Sequence, residues 1–138
     1  MMDIKTCIEK RYLIKTKPDF ELSNKELKEA DYDLEKAKNA SDEDDYKWCI
    51  IKCYYSMFHA AKSLLYKSGY VEKKHIAVII VLEELNKEGK IEIKHINNFK
   101  AAMSAREDAD YHYTYSKEIA EHDLEMCAGF LEAVKKIL

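Results

Sequence analysis

One long segment of this chain is apolar on almost every side, and it constrains the fold more than any other feature. Residues 44–68 show helical spacing and stop at Gly69, a residue typical of helix C-termini. A helix that is apolar around its circumference must be covered on several sides, so we expect it to be the central element. Its predicted core residues are Trp48, Cys49, Ile50, Ile51, Cys53, Tyr54, Tyr55, Met57, Phe58, Ala60, Ala61, Leu64 and Leu65.

Three further segments show the periodicity of amphipathic helices. The first begins at Ser23, whose spacing to Glu26 matches a capping box, and ends near Ala40. The second covers residues 94–113, and the third begins after Ser116, which can cap it. The apolar residues that carry this periodicity in the first and third segments are Leu27, Ala30, Leu34, Ala37, Ile119, Ala120, Leu124, Cys127, Leu131, Val134 and Leu138.

The stretch Ile76–Leu82 can be interpreted in two ways. Its seven consecutive apolar residues, several of them β-branched, are typical of a strand, which could pair with Ile91 and Ile93 as a hairpin. The residues that continue the run to Lys87 favour a helix instead, and a helix is our prediction.

The composition agrees with an all-α fold. The chain has only 3 glycines and 1 proline, too few for a β-sandwich or barrel, and its 47% apolar residues are enough to form a core. Pro18 sets apart an N-terminal extension, residues 1–22, which could contain a short helix. We predict a single domain over residues 1–138, in which residues 23–138 form an antiparallel bundle of four or five helices.

The cysteines and the start of the chain favour a cytoplasmic protein. Cys49 and Cys53 lie about one helical turn apart, without a second cysteine pair at metal-binding spacing. The first residues lack a signal-peptide pattern, and no apolar run reaches the roughly 20 residues that span a bilayer. We therefore expect reduced cysteines that act as small hydrophobic residues, and neither a metal site nor a cofactor.

The charge distribution argues against a broad nucleic-acid-binding surface. The net charge is −3, and residues 19–45 alone carry eleven acidic and four basic side chains, as expected of a solvated helix face and a loop. No wide cluster of Lys and Arg occurs. A nucleic-acid substrate would therefore require a local patch, for example one assembled between two subunits.

The densest group of polar residues is the segment 106–112, Arg-Glu-Asp-Ala-Asp-Tyr-His. Helical geometry places Arg106, Asp110 and Tyr113 on one face and His112 about 120° away from Arg106. In a structural interpretation, Arg106 pairs with Asp110 one turn later and the tyrosines pack in the bundle. In a functional interpretation, Arg106 binds a phosphate and His112 transfers protons, which is enough to cleave RNA without a metal. Because these two side chains diverge, such a site would need two copies that meet at a two-fold axis.

Several motifs together resemble one known family. The segment Cys53-Tyr-Tyr-Ser-Met-Phe-His-Ala-Ala-Lys-Ser-Leu-Leu65 is similar to the central-helix signature of the HEPN family (higher eukaryotes and prokaryotes nucleotide-binding domain), in particular its small stand-alone prokaryotic branch. The resemblance covers residues 23–138. Its other features, in the expected order, are Leu27 and Ala30, the helix-opening His75, and Arg106 followed by Asp110 and Tyr111.

The resemblance implies an all-α bundle that forms a homodimer, and in many members a metal-independent ribonuclease. Such members use an arginine and a histidine, separated by four to six residues, at the dimer interface. On this sequence the resemblance assigns the catalytic roles to Arg106 and His112, and supporting roles to Asp110 and Tyr111.

The resemblance also implies a partner for some members, which are toxins encoded beside a small nucleotidyltransferase antitoxin. The partner can adenylylate a tyrosine two places after the histidine. Thr114 occupies that place here, so the flanking Tyr113 and Tyr115 are the candidate modification sites.

Two functions are therefore predicted as alternatives. The first is a homodimeric, metal-independent endoribonuclease that acts as a toxin. The second is a non-catalytic module that binds a nucleotide or docks a nucleotidyltransferase, with Arg106 and Asp110 in a structural role. The direction of His112 distinguishes them, because a shared active site needs this side chain to face Arg106 of a second subunit.

Overall fold

The computed structural model of the chain describes residues 2–138 and confirms the all-α prediction. Six helices and one small sheet of two strands make up this part of the chain. In chain order, the elements are α1 (Ile4–Glu9), β1 (Leu13–Lys15), α2 (Phe20–Asp42), α3 (Tyr46–Ser68), β2 (Tyr70–Glu72), α4 (His75–Lys87), α5 (Ile93–Tyr111) and α6 (Lys117–Ile137).

The helix α3 is the central element, as its apolar circumference predicts. It packs against α2, α6, α5 and α4, and its buried residues include Cys53, Tyr54 and Met57. Its end is also as predicted, because Gly69 adopts a left-handed conformation with φ 84°. The core prediction is wrong for Trp48 and Tyr55, which are 48% and 37% exposed, since the neighbouring helices leave one edge of α3 uncovered.

The helix α2 begins earlier than predicted. Asp19 is the N-cap, and its side chain accepts a hydrogen bond from the backbone N–H of Leu22. The prediction that Ser23 caps this helix is wrong. Ser23 is instead buried one turn inside it, and its hydroxyl donates to the carbonyl oxygen of Ser63 on α3 at 2.8 Å.

Small residues let α2 and α3 approach each other closely. Ser23, Ala30 and Ala37 recur every seven residues on α2, and all three are buried. The hydroxyl of Ser56 on α3 donates to the carbonyl oxygen of Ala30 at 2.6 Å. Two hydroxyl-to-carbonyl bonds therefore join the antiparallel pair along a seam of small side chains.

The ambiguous apolar stretch is helical, as we predicted. It forms most of α4, and Ala77, Val78, Val81 and Leu82 are buried there. The alternative hairpin is wrong, because Ile91 is part of a buried turn and Ile93 begins α5. Burial on one broad side of α4 explains the nearly continuous apolar sequence.

The N-terminal extension contains a short helix and contributes a strand. The strand β1 pairs with β2 in antiparallel register, Leu13 opposite Glu72 and Lys15 opposite Tyr70. Cys7 on α1 and Leu13 are almost fully buried. The sheet requires Gly69 beside it, since a Cβ atom at this position would lie 2.6 Å from the carbonyl oxygen of Thr16.

The cysteines are all free and lie in the interior. Cys49, Cys53 and Cys127 meet where α3 packs against α6, and hydrogen bonding to its neighbours together with burial raises the pKa of the Cys53 thiol. These thiols therefore act as core groups. Within residues 2–138, no helix is both long enough and apolar enough to cross a bilayer.

Candidate active site

Arg106 lies on α5 beside the uncovered edge of α3. Its Nη2 atom donates to the Tyr55 hydroxyl at 3.1 Å and lies 3.1 Å from Oδ2 of Asp110. The centre of the guanidinium is 5.6 Å from the centroid of the Tyr55 ring and 5.3 Å from that of Tyr111. Two aromatic rings and a carboxylate thus hold one cation, whose side chain is 20% exposed.

The structure brings together three of the four residues predicted for the site. Arg106 and Asp110 form the predicted ion pair across one helical turn. Tyr111 ends α5, is 62% exposed, and supplies one of the rings that contact the guanidinium. Arg106, Asp110 and Tyr111 therefore form one preorganised group at the surface, in which the carboxylate of Asp110 balances the charge of the guanidinium.

His112 is held separately, by a different partner. It is the C-cap residue of α5, and its Nδ1 atom lies 3.1 Å from Oδ1 of Asp108, four residues earlier. A carboxylate at Nδ1 favours the tautomer that carries its proton there, which makes Nε2 the nitrogen able to accept a proton. The side chain is 68% exposed, so this nitrogen can meet a ligand or a second subunit.

Tyr113 does not share a helical face with Arg106, and that expectation is wrong. The helix α5 ends at Tyr111, and Tyr113 adopts a left-handed conformation with φ 52°. The chain must turn here because Ser116 already caps α6, as predicted. A left-handed tyrosine is uncommon, and the turn directs an aromatic side chain that is 78% exposed into solvent.

Two residues that complete the arrangement were missed by the sequence analysis. The apolar pattern of α3 predicts a buried Tyr55, and the polar segment 106–112 indicates no role for Asp108. The signal for Asp108 was its spacing of four residues from His112, which places an acid one turn before a histidine. Nothing in the sequence distinguished the two consecutive tyrosines, because which edge of α3 stays open depends on the packing of α2, α5 and α6.

A second polar cluster lies between α2 and α3, away from Arg106. His59 lies between two carboxylates, with Nδ1 2.5 Å from Glu26 and Nε2 3.5 Å from Asp33. Lys62 approaches Glu26 and Glu72 at 3.6 and 3.7 Å. Burial raises the pKa of Asp33, and the positive charges of His59 and Lys52 oppose this shift. His59 and Lys62 pair with carboxylates of α2 and β2 here, so we assign the cluster a structural role.

Comparison with known proteins gives consistent results. The sequence profile of the HEPN domain matches residues 24–137. A protein of Methanocaldococcus jannaschii, named "putative toxin", is 31% identical over 115 residues, which cover 81% of this chain and 78% of that protein. A UPF0332 protein of Archaeoglobus fulgidus is 28% identical over 111 residues, covering 79% of this chain and 89% of the relative.

Proposed function

Because the chain belongs to the HEPN domain family, we propose that it is a metal-independent endoribonuclease that acts as a homodimer. The observation that supports the proposal most strongly is how the neighbours of Arg106 hold its guanidinium in place. Three neighbours fix its guanidinium at the surface, and His112 is presented at the end of the same helix. A planar cation held in this way can bind a phosphate without first losing side-chain entropy.

The two groups do not form a complete site within one subunit. Arg106 contacts Tyr55, Asp110 and Tyr111, whereas His112 contacts Asp108, and no bond joins the two within residues 2–138. Two copies related by a two-fold axis would bring a second arginine and a second histidine to one phosphate.

The reaction follows from these groups and from the RNA itself. Nε2 of one His112 removes the proton of the 2′-hydroxyl, and the resulting oxygen attacks the adjacent phosphorus. The bond from phosphorus to the 5′-oxygen breaks, and the second His112 donates a proton to that oxygen. Arg106 stabilises the negative charge that develops on the phosphate. The products are a 2′,3′-cyclic phosphate and a 5′-hydroxyl.

The name of the Methanocaldococcus relative supports a toxin role within this proposal. A toxin of this kind requires control, and we propose a nucleotidyltransferase as the antitoxin partner. Tyr113 and Tyr115 are the proposed modification sites, since both are exposed beside His112, at 78% and 45%. An adenylyl group on either would place negative charge close to the phosphate site.

The test is cleavage of several single-stranded RNAs by the purified protein in EDTA. We expect products with 2′,3′-cyclic phosphate ends. Arg106→Ala and His112→Ala should each lower the rate by at least about 100-fold, as expected when a proton-transfer or charge-stabilising group is removed.

Two matched variants provide the control. Arg11→Ala removes the chain's other arginine, and His122→Ala removes an exposed histidine on α6, so both should cleave like the wild type. If the folded wild type cleaves no RNA, or if Arg106→Ala cleaves normally, the ribonuclease proposal is wrong. The non-catalytic binding module would then take its place.

A further inference from the structure

Aromatic and basic side chains lie together at the open edge of α3 and in the turn after α5. Nζ of Lys52 lies 5.8 Å from the ring of Trp48, and Nζ of Lys47 lies 5.9 Å from the ring of Tyr113. Trp48 is 48% exposed and Tyr113 is 78% exposed. We call these four residues, Lys47, Trp48, Lys52 and Tyr113, the aromatic–basic strip.

The strip leads directly to the proposed active site. Trp48, Lys52 and Tyr55 follow one another at spacings of four and three residues, so they lie on one side of α3. Tyr55 binds Arg106. From Trp48 to Tyr55 the helix rises about 10 Å. That distance is about the length of three stacked nucleotides at roughly 3.4 Å each.

The lysines of the strip form no direct ion pair. Neither Lys47 nor Lys52 has a carboxylate oxygen within 4.0 Å among the described residues, and Lys52 interacts with Asp33 only at longer range. Each cation rests on an aromatic ring instead. The positive charge of the strip is therefore available to an anionic partner.

We propose that the aromatic–basic strip binds unpaired bases of single-stranded RNA and guides the chain toward Arg106. The rings of Trp48 and Tyr113 would stack on bases, and Lys47 and Lys52 would contact phosphates. Because every base has a stackable face, this binding is tolerant of sequence but requires bases that are free of a duplex.

The lysines and exposed rings of the strip favour RNA over a protein partner. The strip combines exposed rings with two lysines that lie in no direct ion pair, and it adjoins the guanidinium of Arg106, which pairs with Asp110. This combination suits a partner with regularly spaced negative charges and flat apolar groups. On α2 the exposed Tyr32 has Nζ of Lys36 5.3 Å from the centroid of its ring, which is the same local chemistry, but this pair lies within the acidic segment 19–45. That pair provides a matched control.

The first experiment uses Trp48 as its own reporter, because it is the chain's only tryptophan. The His112→Ala protein, which keeps Arg106 and leaves the RNA intact, is titrated with a short oligouridylate. Stacking on the indole should quench its fluorescence saturably, and a duplex RNA of equal length should quench much less. An unchanged fluorescence while RNA binds would overturn the proposal.

The second experiment measures affinity by fluorescence anisotropy with labelled oligouridylate. In the same His112→Ala background, Trp48→Ala should weaken binding about tenfold or more, as expected for loss of one stacked base. Tyr113→Asn, which tolerates the left-handed backbone, should also weaken it, and Lys52→Gln should reduce the dependence of binding on salt. Tyr32→Ala should bind normally. Equal affinity of the three strip variants and their parent would show that the strip does not bind RNA.

The outcome is separable from that of the proposed function, on which this inference rests for its choice of RNA. Quenching without any cleavage by the wild type would disprove the ribonuclease and retain the strip. Cleavage by the wild type without quenching in the His112→Ala protein would support the ribonuclease and disprove RNA binding by the strip. If Trp48→Ala instead converts a dimer to a monomer in sedimentation velocity and leaves RNA affinity unchanged, the strip is an interface between copies, and the proposal is wrong.

Discussion

Asp123 is a carboxylic acid in the buried face of α6, with only 2% of its surface exposed. Its Oδ2 atom has no hydrogen-bond partner among residues 2–138. Burial raises the pKa of this carboxyl from 3.8 to about 7, because the charged form cannot be solvated there. The folded protein therefore holds Asp123 neutral at mildly acidic pH.

This residue should make the protein less stable as the pH rises. Between about pH 4 and pH 7 only the unfolded chain releases the Asp123 proton. The free energy of unfolding therefore falls by on the order of 2–4 kcal/mol over that interval. The amide side chain of the Asp123→Asn variant cannot ionise, so this variant does not lose stability in this way as the pH rises. In thermal melts, its Tm advantage over the wild type should therefore be larger at pH 8 than at pH 5.

The control for Asp123 is Glu35→Gln, which neutralises an exposed acid on α2. Its Tm difference from the wild type should change little over the same range. A Tm difference for Asp123→Asn that stays constant from pH 5 to pH 8 would show that this carboxyl ionises normally in the folded protein.

Individual residues were predictable where sequence neighbours decide their role. The Arg106–Asp110 pair and the Ser116 cap depend on contacts within one or two turns, and both were predicted. Tyr54 and Tyr55 show the opposite case. Both are aromatic residues in an apolar helix, yet Tyr54 is buried with its pKa raised to about 12 by burial, and Tyr55 is exposed beside Arg106.

At the scale of elements, the periodicity of apolar residues predicted which segments are helical and how long they are. The ends of the helices were predicted correctly only where a single residue could act as the cap. Gly69 ended α3 as predicted, whereas Asp19 rather than Ser23 begins α2. Ser23 has the right chemistry for a cap and is used for a contact with α3 instead. Tertiary packing thus decided between two positions that local rules allow equally.

We expect that the seam between α2 and α3 cannot accommodate a larger side chain. Ala30 is fully buried where its carbonyl accepts from Ser56, so Ala30→Leu should force the helices apart and destabilise the protein by about 1–3 kcal/mol. Urea unfolding measures the loss. Ala128→Leu adds the same group at an exposed position of α6 and should change stability by less than about 0.5 kcal/mol. Similar values for both variants would argue against close packing at the seam.

At the scale of the whole molecule, the bundle was predictable, and the arrangement of a site shared by two copies was not. The local motif predicts Arg106 and His112 as candidate site residues, but one copy holds them on separate partners. What a second copy would contribute depends on a surface formed by several helices. No spacing within a single sequence specifies that surface.

Mixing two inactive variants tests the shared site. A dimer with one Arg106→Ala subunit and one His112→Ala subunit retains one arginine and one histidine from different copies. After joint unfolding and refolding, we expect the mixture to recover part of the cleavage rate that each variant lacks alone. The remaining histidine can serve only one of the two proton transfers, so the recovery should be partial. A wild type that sediments as a monomer at micromolar concentration would contradict a site made by two copies.

The small sheet has a consequence for the order in which the chain folds. The pairing of Lys15 with Tyr70 joins strands separated by the whole of α2 and α3. Closing so long a loop costs entropy that only later contacts repay. The α2–α3 hairpin, joined by a short turn, should therefore form early, and the strands should pair late. The backbone amides of Thr16 and Lys73, which bond across this junction to Gly69 and Tyr12, should then exchange their hydrogens through a local opening that leaves the bundle intact.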